Sequence, residues 1–180
     1  SDDVAIRYGP PPDPLPAPPF AVDEPAAEGL RFLGYERGRP TAETGEPVPL
    51  ALWWSADRPL PPLALRLSLV DEGGNSFVLG EGQPAYDTYP FDAWPTPAFV
   101  IDRQRFPIPD DLPGGDYAYR LELLDAAGRP VYTTGLGPLA VTRTERLFAL
   151  PHFATTVGAT FGGEIALPGY TLTGQEKTYS

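Results

Sequence analysis

The chain has 180 residues, 42% of them hydrophobic, with 25 prolines, 19 glycines, 24 acidic and 13 basic side chains and a net charge of −11. This balance indicates one medium-sized domain or two small ones with a real core, and it excludes a disordered polymer. The lack of cysteine and the presence of one histidine exclude disulfides, thiolate metal sites and multi-histidine metal clusters. We therefore predict no metal site and no cofactor, and the acidic charge argues against nucleic acid as a partner.

The first 28 residues are rich in proline, with prolines at positions 10, 11, 12, 14, 16, 18 and 19. Proline removes backbone donors and favours an extended conformation, so residues 1–28 are predicted to form a semi-rigid spacer. The chain has neither an initial methionine nor a run of about 18 apolar residues that would span a membrane. We expect a piece of a larger protein that does not itself insert into the membrane.

From residue 30 onward the hydrophobic pattern has a period of two, which is typical of half-buried β-strands. Three stretches show it most clearly, and in each the apolar residues fall on one face: Val48, Leu50, Leu52 and Trp54; Leu63, Leu65, Leu67 and Leu69; Tyr117, Tyr119, Leu121 and Leu123. Further strands are predicted near 30–36, 76–80, 97–106 and 130–141. No amphipathic helix of ten or more residues is predicted.

Turn-forming residues separate these strands. The sequences DEGGN (71–75) and DAAGR (125–129) supply residues that tolerate positive φ and therefore indicate hairpin turns. About seven short strands with frequent turns predict an all-β fold, an immunoglobulin-like two-sheet antiparallel β-sandwich over residues 29–143, with the proline-rich N-terminal extension before it.

The tail repeats a string from the start of the sandwich. The sequence LRFLGY (30–35) resembles IALPGY (165–170), at a spacing of 135 residues. Such a spacing matches one sandwich domain with its linker. Residues 144–180 are therefore interpreted as a linker and the first strand of a truncated second repeat, and residues 160–172 as a segment for strand exchange; coincidence between two short apolar strings is the alternative.

The longest stretch without a strand pattern is EGQPAYDTYPFDAWPT (81–96). It holds the candidate ligand-binding residues Tyr86, Asp87, Tyr89, Asp92 and Trp94. Aromatic rings beside carboxylates can grip a sugar by stacking and hydrogen bonding. The alternative, which we favour, is that the aromatic rings fold back over the sandwich as a small additional core.

Trp53 is a further candidate for the ligand site, because neighbouring residues of a strand point to opposite faces and Trp54 belongs to the core face. Packing under a crossing loop is the competing interpretation. Catalysis is not predicted: no GxSxG elbow accompanies His152, and the paired acids lie in turns or the leader rather than in a cleft. Calcium binding by Asp110, Asp111 and Asp116 lacks the fixed spacing of a known calcium loop.

The serial order of these motifs resembles a domain that follows the membrane-spanning part of certain bacterial glycosyltransferases of the dolichyl-phosphate-mannose-dependent type, family 39 and its relatives. The matching stretches are LRFLGYE (30–36), TGEPVPLALWWSADRPL (44–60), LRLSLVDEGG (65–74), YDTYPFDAWP (86–95), FPIPDDLPGGDYAYRLELLDAAGRPV (106–131) and FGGEIALPGYTL (161–172). The resemblance covers about residues 29–143 and implies a domain that commonly occurs in tandem. Because that family's catalytic residues lie in its membrane part, none is carried over.

The resemblance thus implies a non-catalytic accessory or interaction domain on the extracytoplasmic face of a bacterial membrane, as part of a larger membrane protein. The expected partners are a glycan or a tandem β-sandwich neighbour. The alternative function is a carbohydrate-binding module that uses the loop 81–96 and Trp53. A free-standing hydrolase is the third and weakest class.

Overall fold

A computed structural model describes the backbone of residues 6–143, 155–161 and 165–170, and the side chains of residues 10–143. The chain divides into two compact units between Thr144 and Glu145. The first unit holds ten strands: β1 (Ile6–Gly9), β2 (Phe20–Ala27), β3 (Leu30–Arg37), β4 (Thr41–Glu43), β5 (Pro47–Ala56), β6 (Ala64–Asp71), β7 (Ser76–Gly82), β8 (Ala98–Pro107), β9 (Gly115–Leu124) and β10 (Pro130–Thr142). The second unit contains β11 (Thr155–Phe161) and β12 (Ile165–Tyr170).

The ten strands of the first unit form two five-stranded sheets. The first sheet has the order β1-β8-β5-β3-β2 and the second the order β4-β10-β9-β6-β7. Buried side chains from both sheets join in one hydrophobic cluster, so the unit is a β-sandwich. With 57% strand and 5% helix, the predicted all-β class is confirmed.

The predicted inward faces are confirmed. The apolar faces of β5, β6 and β9 all lie in the shared core, and Trp54 is fully buried at its centre. Its indole ring packs at 4.7 Å from the ring of Phe32 and edge-on at 5.8 Å from the ring of Phe91. Alternation with a period of two is thus sufficient to define which side of each strand faces the other sheet.

The predicted spacer over residues 1–28 is wrong where the chain forms strands. β1 pairs antiparallel with β8, and β2 pairs antiparallel with β3 at the end of the first sheet. Pro25 is tolerated in β2 because an edge strand has one side without ladder hydrogen bonds. Most of the leader prolines instead lie between Gly9 and Phe20, in the connection of β1 to β2.

The number and direction of strands also differ from the prediction of about seven antiparallel strands. All seven predicted strands are present, and β1, β2 and β4 are additional. The three-residue β4 pairs parallel with β10, while the other pairings are antiparallel. A strand of three residues is too short to display a hydrophobic period, and β1 and β2 adjoin a proline-rich stretch that hides theirs.

The two predicted hairpin turns are confirmed. In the first turn the Asp71 carboxylate accepts hydrogen bonds from the backbone and side-chain nitrogens of Asn75, each at 2.8 Å, and these bonds lower the pKa of Asp71. In the second, the Arg129 side chain and backbone donate to Asp125 and lower its pKa. A glycine with positive φ completes each turn, Gly74 at 83° and Gly128 at 76°.

The second unit contains an antiparallel hairpin of β11 and β12. Its register includes a shift between Thr156 and Ala159. His152 lies outside the described residues, as do parts of the segment 160–172 to which strand exchange was assigned. Within the described ranges, no helix has the length and apolar character needed to cross a membrane.

Candidate functional site

The segment 83–97 connects β7 at the edge of the second sheet with β8 of the first sheet. It forms a tight turn at Pro84–Asp87 and one 3-10 turn at Phe91–Ala93. The segment therefore crosses from one sheet to the other at one side of the sandwich. It contains most of the residues that the sequence predicts to bind a ligand.

The turn at Pro84–Asp87 has a left-handed backbone at three successive residues that are not glycine. Ala85 has φ 53° and ψ 46°, Tyr86 has φ 54° and ψ 50°, and Asp87 has φ 65°. In residues other than glycine, the Cβ atom makes this conformation unfavourable by about 1–2 kcal/mol per residue. The surrounding hydrogen bonds must therefore impose it, and strain of this kind concentrates at functional sites.

Several hydrogen bonds hold the left-handed turn in place. The backbone nitrogen of Ala85 donates to Asp102 Oδ1 at 2.9 Å, and the Thr88 hydroxyl donates to the Ala85 carbonyl at 2.6 Å. The Tyr86 hydroxyl accepts from the backbone nitrogen of Arg105 at 2.9 Å. Both contacts to β8 fix the turn against the first sheet.

Asp102 is the buried acid of this site, and sequence reasoning missed it. Its carboxylate is fully buried, and besides Ala85 it accepts a hydrogen bond from the Gln104 side chain at 2.7 Å. Burial raises the pKa of Asp102 to about 6, and the hydrogen bonds from Ala85 and Gln104 limit this rise. A signal was present, because an aspartate following FVI in a strand departs from the residues that strands favour.

The aromatic residues of the segment are mostly part of the core. Phe91 is fully buried and Trp94 is 5% exposed. The Tyr89 and Trp94 rings are nearly parallel, with centroids 6.1 Å apart, and Trp94 Nε1 donates to the Tyr89 carbonyl at 3.1 Å. Tyr86 is different, because 52% of it is exposed. The structure therefore does not bring these rings together as an exposed coplanar platform.

Trp53 lies on the opposite face of the first sheet from the main core. It is half-buried and packs edge-on against Phe99, with ring centroids 5.9 Å apart. Leu33, Ala51 and Ile101 complete this second apolar cluster. Trp53 thus belongs to a separate packed face and does not join Tyr86 in one surface.

The two candidate carboxylates of the segment are both exposed. Asp87 accepts a hydrogen bond from the backbone nitrogen of Gln83, while Asp92 lies in the 3-10 turn. Among residues 10–143, no three acidic or histidine side chains converge as a metal site, so Asp110, Asp111 and Asp116 are not brought together as calcium ligands.

A pocket opens between the two sheets beside this segment. It has a volume of about 200 Å³ and reaches leucines of β5, β6 and β9. Tyr86, Asp87, Gln83 and Gln104 contribute to its lining together with β7. The left-handed turn therefore forms part of the wall of an apolar pocket with polar groups among its lining residues.

Comparisons with known proteins place the chain in no family. No family profile matches it, and no curated protein matches its sequence. Among solved structures, a Niemann-Pick type C2 protein from Japanese carpenter ant is 7% identical, with a TM-score of 0.44 over 62% of this chain and 91% of that protein. The C-terminal domain of wzt is 11% identical, with a TM-score of 0.45 over 73% of this chain and 84% of that domain.

A third similar structure is the Pseudomonas fluorescens alkylpurine DNA glycosylase AlkC bound to DNA with an abasic site analog. It is 12% identical, with a TM-score of 0.41 over 63% of this chain and 30% of the glycosylase. Identities and scores this low give no basis for transferring a function from any of the three proteins.

Proposed function

We propose that the chain is a non-catalytic accessory domain that works beside a tandem copy of itself, on the extracytoplasmic face of a bacterial membrane protein related to family 39 glycosyltransferases. The observation that carries the proposal is a structural repeat. The β11–β12 hairpin reproduces the β2–β3 hairpin of the sandwich, strand for strand, in the same order along the chain.

The two hairpins share four pairs of their register, including one irregularity. In the first hairpin Phe20 pairs with Tyr35, Ala21 with Gly34, Glu24 with Phe32 and Pro25 with Arg31. In the second hairpin Thr155 pairs with Tyr170, Thr156 with Gly169, Ala159 with Leu167 and Thr160 with Ala166. Adding 135 to the numbers of these four pairs gives the second set. The fifth pair differs, because Ala27 pairs with Leu30 after a second register shift, whereas Phe161 pairs with Ile165 without one. The shared first shift supports a repeat over a chance likeness of two apolar strings.

The second hairpin has glycines at two positions where the backbone of the first hairpin has a positive φ. Gly34 has φ 141°, and a Cβ there would lie 2.1 Å from the Phe20 carbonyl oxygen. The corresponding residue of the second hairpin is Gly169. Asp23 has φ 58° in the bulge of β2, and the corresponding residue is Gly158. Glycine is the residue type that tolerates a positive φ best, so the sequence of the second hairpin is compatible with the same bulge.

The membrane context rests on the serial resemblance to the glycosyltransferase-associated domain. Its motifs coincide with β3, β5, β6, the segment after β7 and β9, and the renewed FGGEIALPGYTL overlaps β12. In this context the domain positions the acceptor or packs against its tandem neighbour. An open edge of the second hairpin is where strand exchange through residues 160–172 would occur.

Topology can be tested in the full-length protein expressed in its bacterium. An epitope tag is inserted at the Gly73–Gly74 turn, since exposed turn tips tolerate insertions. Protease added to intact spheroplasts is expected to remove the tag while a cytoplasmic marker stays whole. A tag that is cleaved only after lysis contradicts the extracytoplasmic location.

The accessory role needs a separate measurement. Deleting residues 6–143 from the full-length protein is expected to leave its membrane insertion intact and to lower glycosyl transfer without abolishing it. The reason is that the family's catalytic residues lie in its membrane part, while the deleted domain positions the acceptor. Unchanged transfer would refute the accessory role. Loss of membrane insertion in the same variant would show that the domain has a structural role in assembly instead.

A carbohydrate-binding module is the second candidate function, and one observation favours it. Tyr86 is 52% exposed and neighbours the exposed carboxylate of Asp87. A glycan array probed with wild type and with Tyr86→Ala tests this candidate, with Val78→Ala as a control at an equally exposed position. Glycan binding that survives Tyr86→Ala contradicts a site at this residue.

A further inference from the structure

We propose that the pocket between the two sheets binds the end of a single hydrocarbon chain whose head group is uncharged and bears hydroxyls. The pocket is distinct from the repeated hairpin, so this inference does not depend on the tandem role. It rests on the lining of the pocket, its volume, the construction of its mouth and the charge around it.

The inner end of the pocket is apolar and comes from both sheets. Leu50 and Leu52 of β5 line it from one side, and leucines of β6 and β9 from the other: Leu65, Leu67 and Leu121. All five leucines also belong to the hydrophobic core. The polar Gln104 of β8 pairs with Leu50 in the register and also lines the pocket, and its side chain donates a hydrogen bond to Asp102 at 2.7 Å. An occupant of the inner end is therefore favoured mainly by dispersion and desolvation.

The volume sets the size of the group that fits. A buried cavity of about 150 Å³ lined by apolar side chains holds a benzene molecule. The pocket here has about 200 Å³ and is open at one side. It therefore accommodates roughly six to eight carbon atoms, with the remainder of the ligand outside.

The mouth lies where the two sheets do not pair, between β7 and β8. Two glycines of β7 line this side. A Cβ at Gly80 would lie 2.8 Å from the Phe106 ring, and a Cβ at Gly82 would lie 2.5 Å from Asp87 Oδ1. Larger residues on β7 would thus displace Phe106 and the left-handed turn, and glycine at both positions maintains the present geometry of the opening.

Polar groups around the mouth favour a hydroxyl-bearing head. The Tyr86 hydroxyl accepts from the Arg105 backbone and retains its own proton for a ligand acceptor. Gln83 also lines the mouth, and its Oε1 is buried without a hydrogen-bond partner among the described residues. An unpartnered acceptor of this kind is costly, and a ligand hydroxyl within reach would satisfy it.

The charge around the mouth disfavours an anionic head. The charged residues that line the pocket are Glu81, Asp87 and Arg105. Arg66 forms an ion pair with Glu81 at 2.7 Å, and the alternation of β8 directs the exposed Arg105 side chain away from the inward-facing Gln104. A fatty-acid carboxylate at the mouth would therefore meet the carboxylate of Asp87, on a protein of net charge −11.

Titration calorimetry of the full chain with alkyl β-D-glucosides, each below its micelle-forming concentration, tests the proposal. Saturable one-to-one binding is expected, with affinity rising about fourfold for each added methylene from pentyl to roughly octyl and then levelling. Octanoate is expected to bind at least tenfold more weakly than octyl glucoside. Glucose alone is expected not to bind.

A filling variant, Leu52→Phe, is expected to reduce the affinity for octyl glucoside at least tenfold, whereas Val78→Phe on the exposed side of β7 is expected to leave it unchanged. If Leu52→Phe does not fold, NMR of the wild type can test the same point. Cross-relaxation between the octyl chain and leucine methyl groups is then expected, because the chain would lie in the pocket. Four results would overturn the proposal: no saturable binding, binding without chain-length dependence, no contact to the leucine methyl groups, or equal binding of free glucose. The last of these would indicate a sugar site at the surface.

Discussion

Asp102 is a residue whose ionisation opposes folding at neutral pH. Its carboxylate is fully buried, and the raised pKa of about 6 means that the folded protein binds its proton more tightly than the unfolded chain does. The residue contributes most to stability below about pH 4, and this contribution is lost as the pH rises through about 6. Retaining an acid here is understandable if its hydrogen bond to Ala85 is needed to hold the left-handed turn.

The substitution Asp102→Asn tests this reasoning. The amide keeps an acceptor for the Ala85 nitrogen and removes the charge, so the stability of the variant relative to wild type should increase between pH 4 and 7. The difference in unfolding free energy between the variant and wild type is expected to increase by on the order of 2–3 kcal/mol. This is the free-energy equivalent of the rise in the pKa of Asp102 on folding. Urea denaturation across this pH range measures it, with Asp92→Asn as the exposed control. A difference that stays constant with pH would contradict the assignment.

Among the elements, the β2–β3 hairpin depends on a glycine beside its bulge, Gly34, which pairs with Ala21. The Phe20 carbonyl occupies the space where a Gly34 side chain would start. Backbone cannot move aside as a flexible side chain can, and β2 is also held through the bond from the Tyr132 hydroxyl to Glu24 at 2.8 Å. The conformation of one residue thus controls how β2 joins the sandwich.

We expect Gly34→Ala to destabilise the first unit by on the order of 3 kcal/mol, because both the backbone conformation and the close contact oppose a Cβ. Gly135→Ala on β10 is the matched control, since the nearest atom to its Cβ would be 3.8 Å away. Thermal unfolding of the two variants measures the difference. Equal melting temperatures would show that β2 rearranges freely around the bulge.

Strand positions and their faces were predictable from the sequence, whereas contacts between elements were not. The core faces of β5, β6 and β9 follow from local alternation, which one strand displays by itself. The contact between Asp102 and the left-handed turn joins β8 to a residue 17 positions earlier in the chain, and no local pattern encodes it. The repeated Gly-Tyr string predicted β12 but not its partner β11. The sequence of β11, TTVGATF, has little in common with that of β2, FAVDEPAA.

At the scale of the whole chain, the first unit has a complete core of its own. The buried cluster shared by the two sheets draws its described members from residues 26 to 141. It contains Trp54 and Phe32 from one sheet and a row of leucines from the other. The sandwich should therefore be thermodynamically independent of the residues that follow it.

A chain ending at Thr144 is expected to unfold cooperatively, with a melting temperature within about 3 °C of the full chain, which corresponds to about 1 kcal/mol for a domain of this size. Differential scanning calorimetry of both chains measures this. Loss of the cooperative transition on truncation would show that residues 145–180 are needed for the fold of the first unit.

The parallel pairing of β4 with β10 has a consequence for biosynthesis. Thr41 has to wait for Ala140, its partner in the register, before the second sheet can close. At about 5–20 residues per second the ribosome takes roughly 5–20 s to make the intervening chain. Throughout that interval β4 and, once it is made, β9 lack the neighbour that β10 provides, so their backbone groups are open to pairing with other chains. The synthesis of β10 ends this exposure by placing it between β4 and β9.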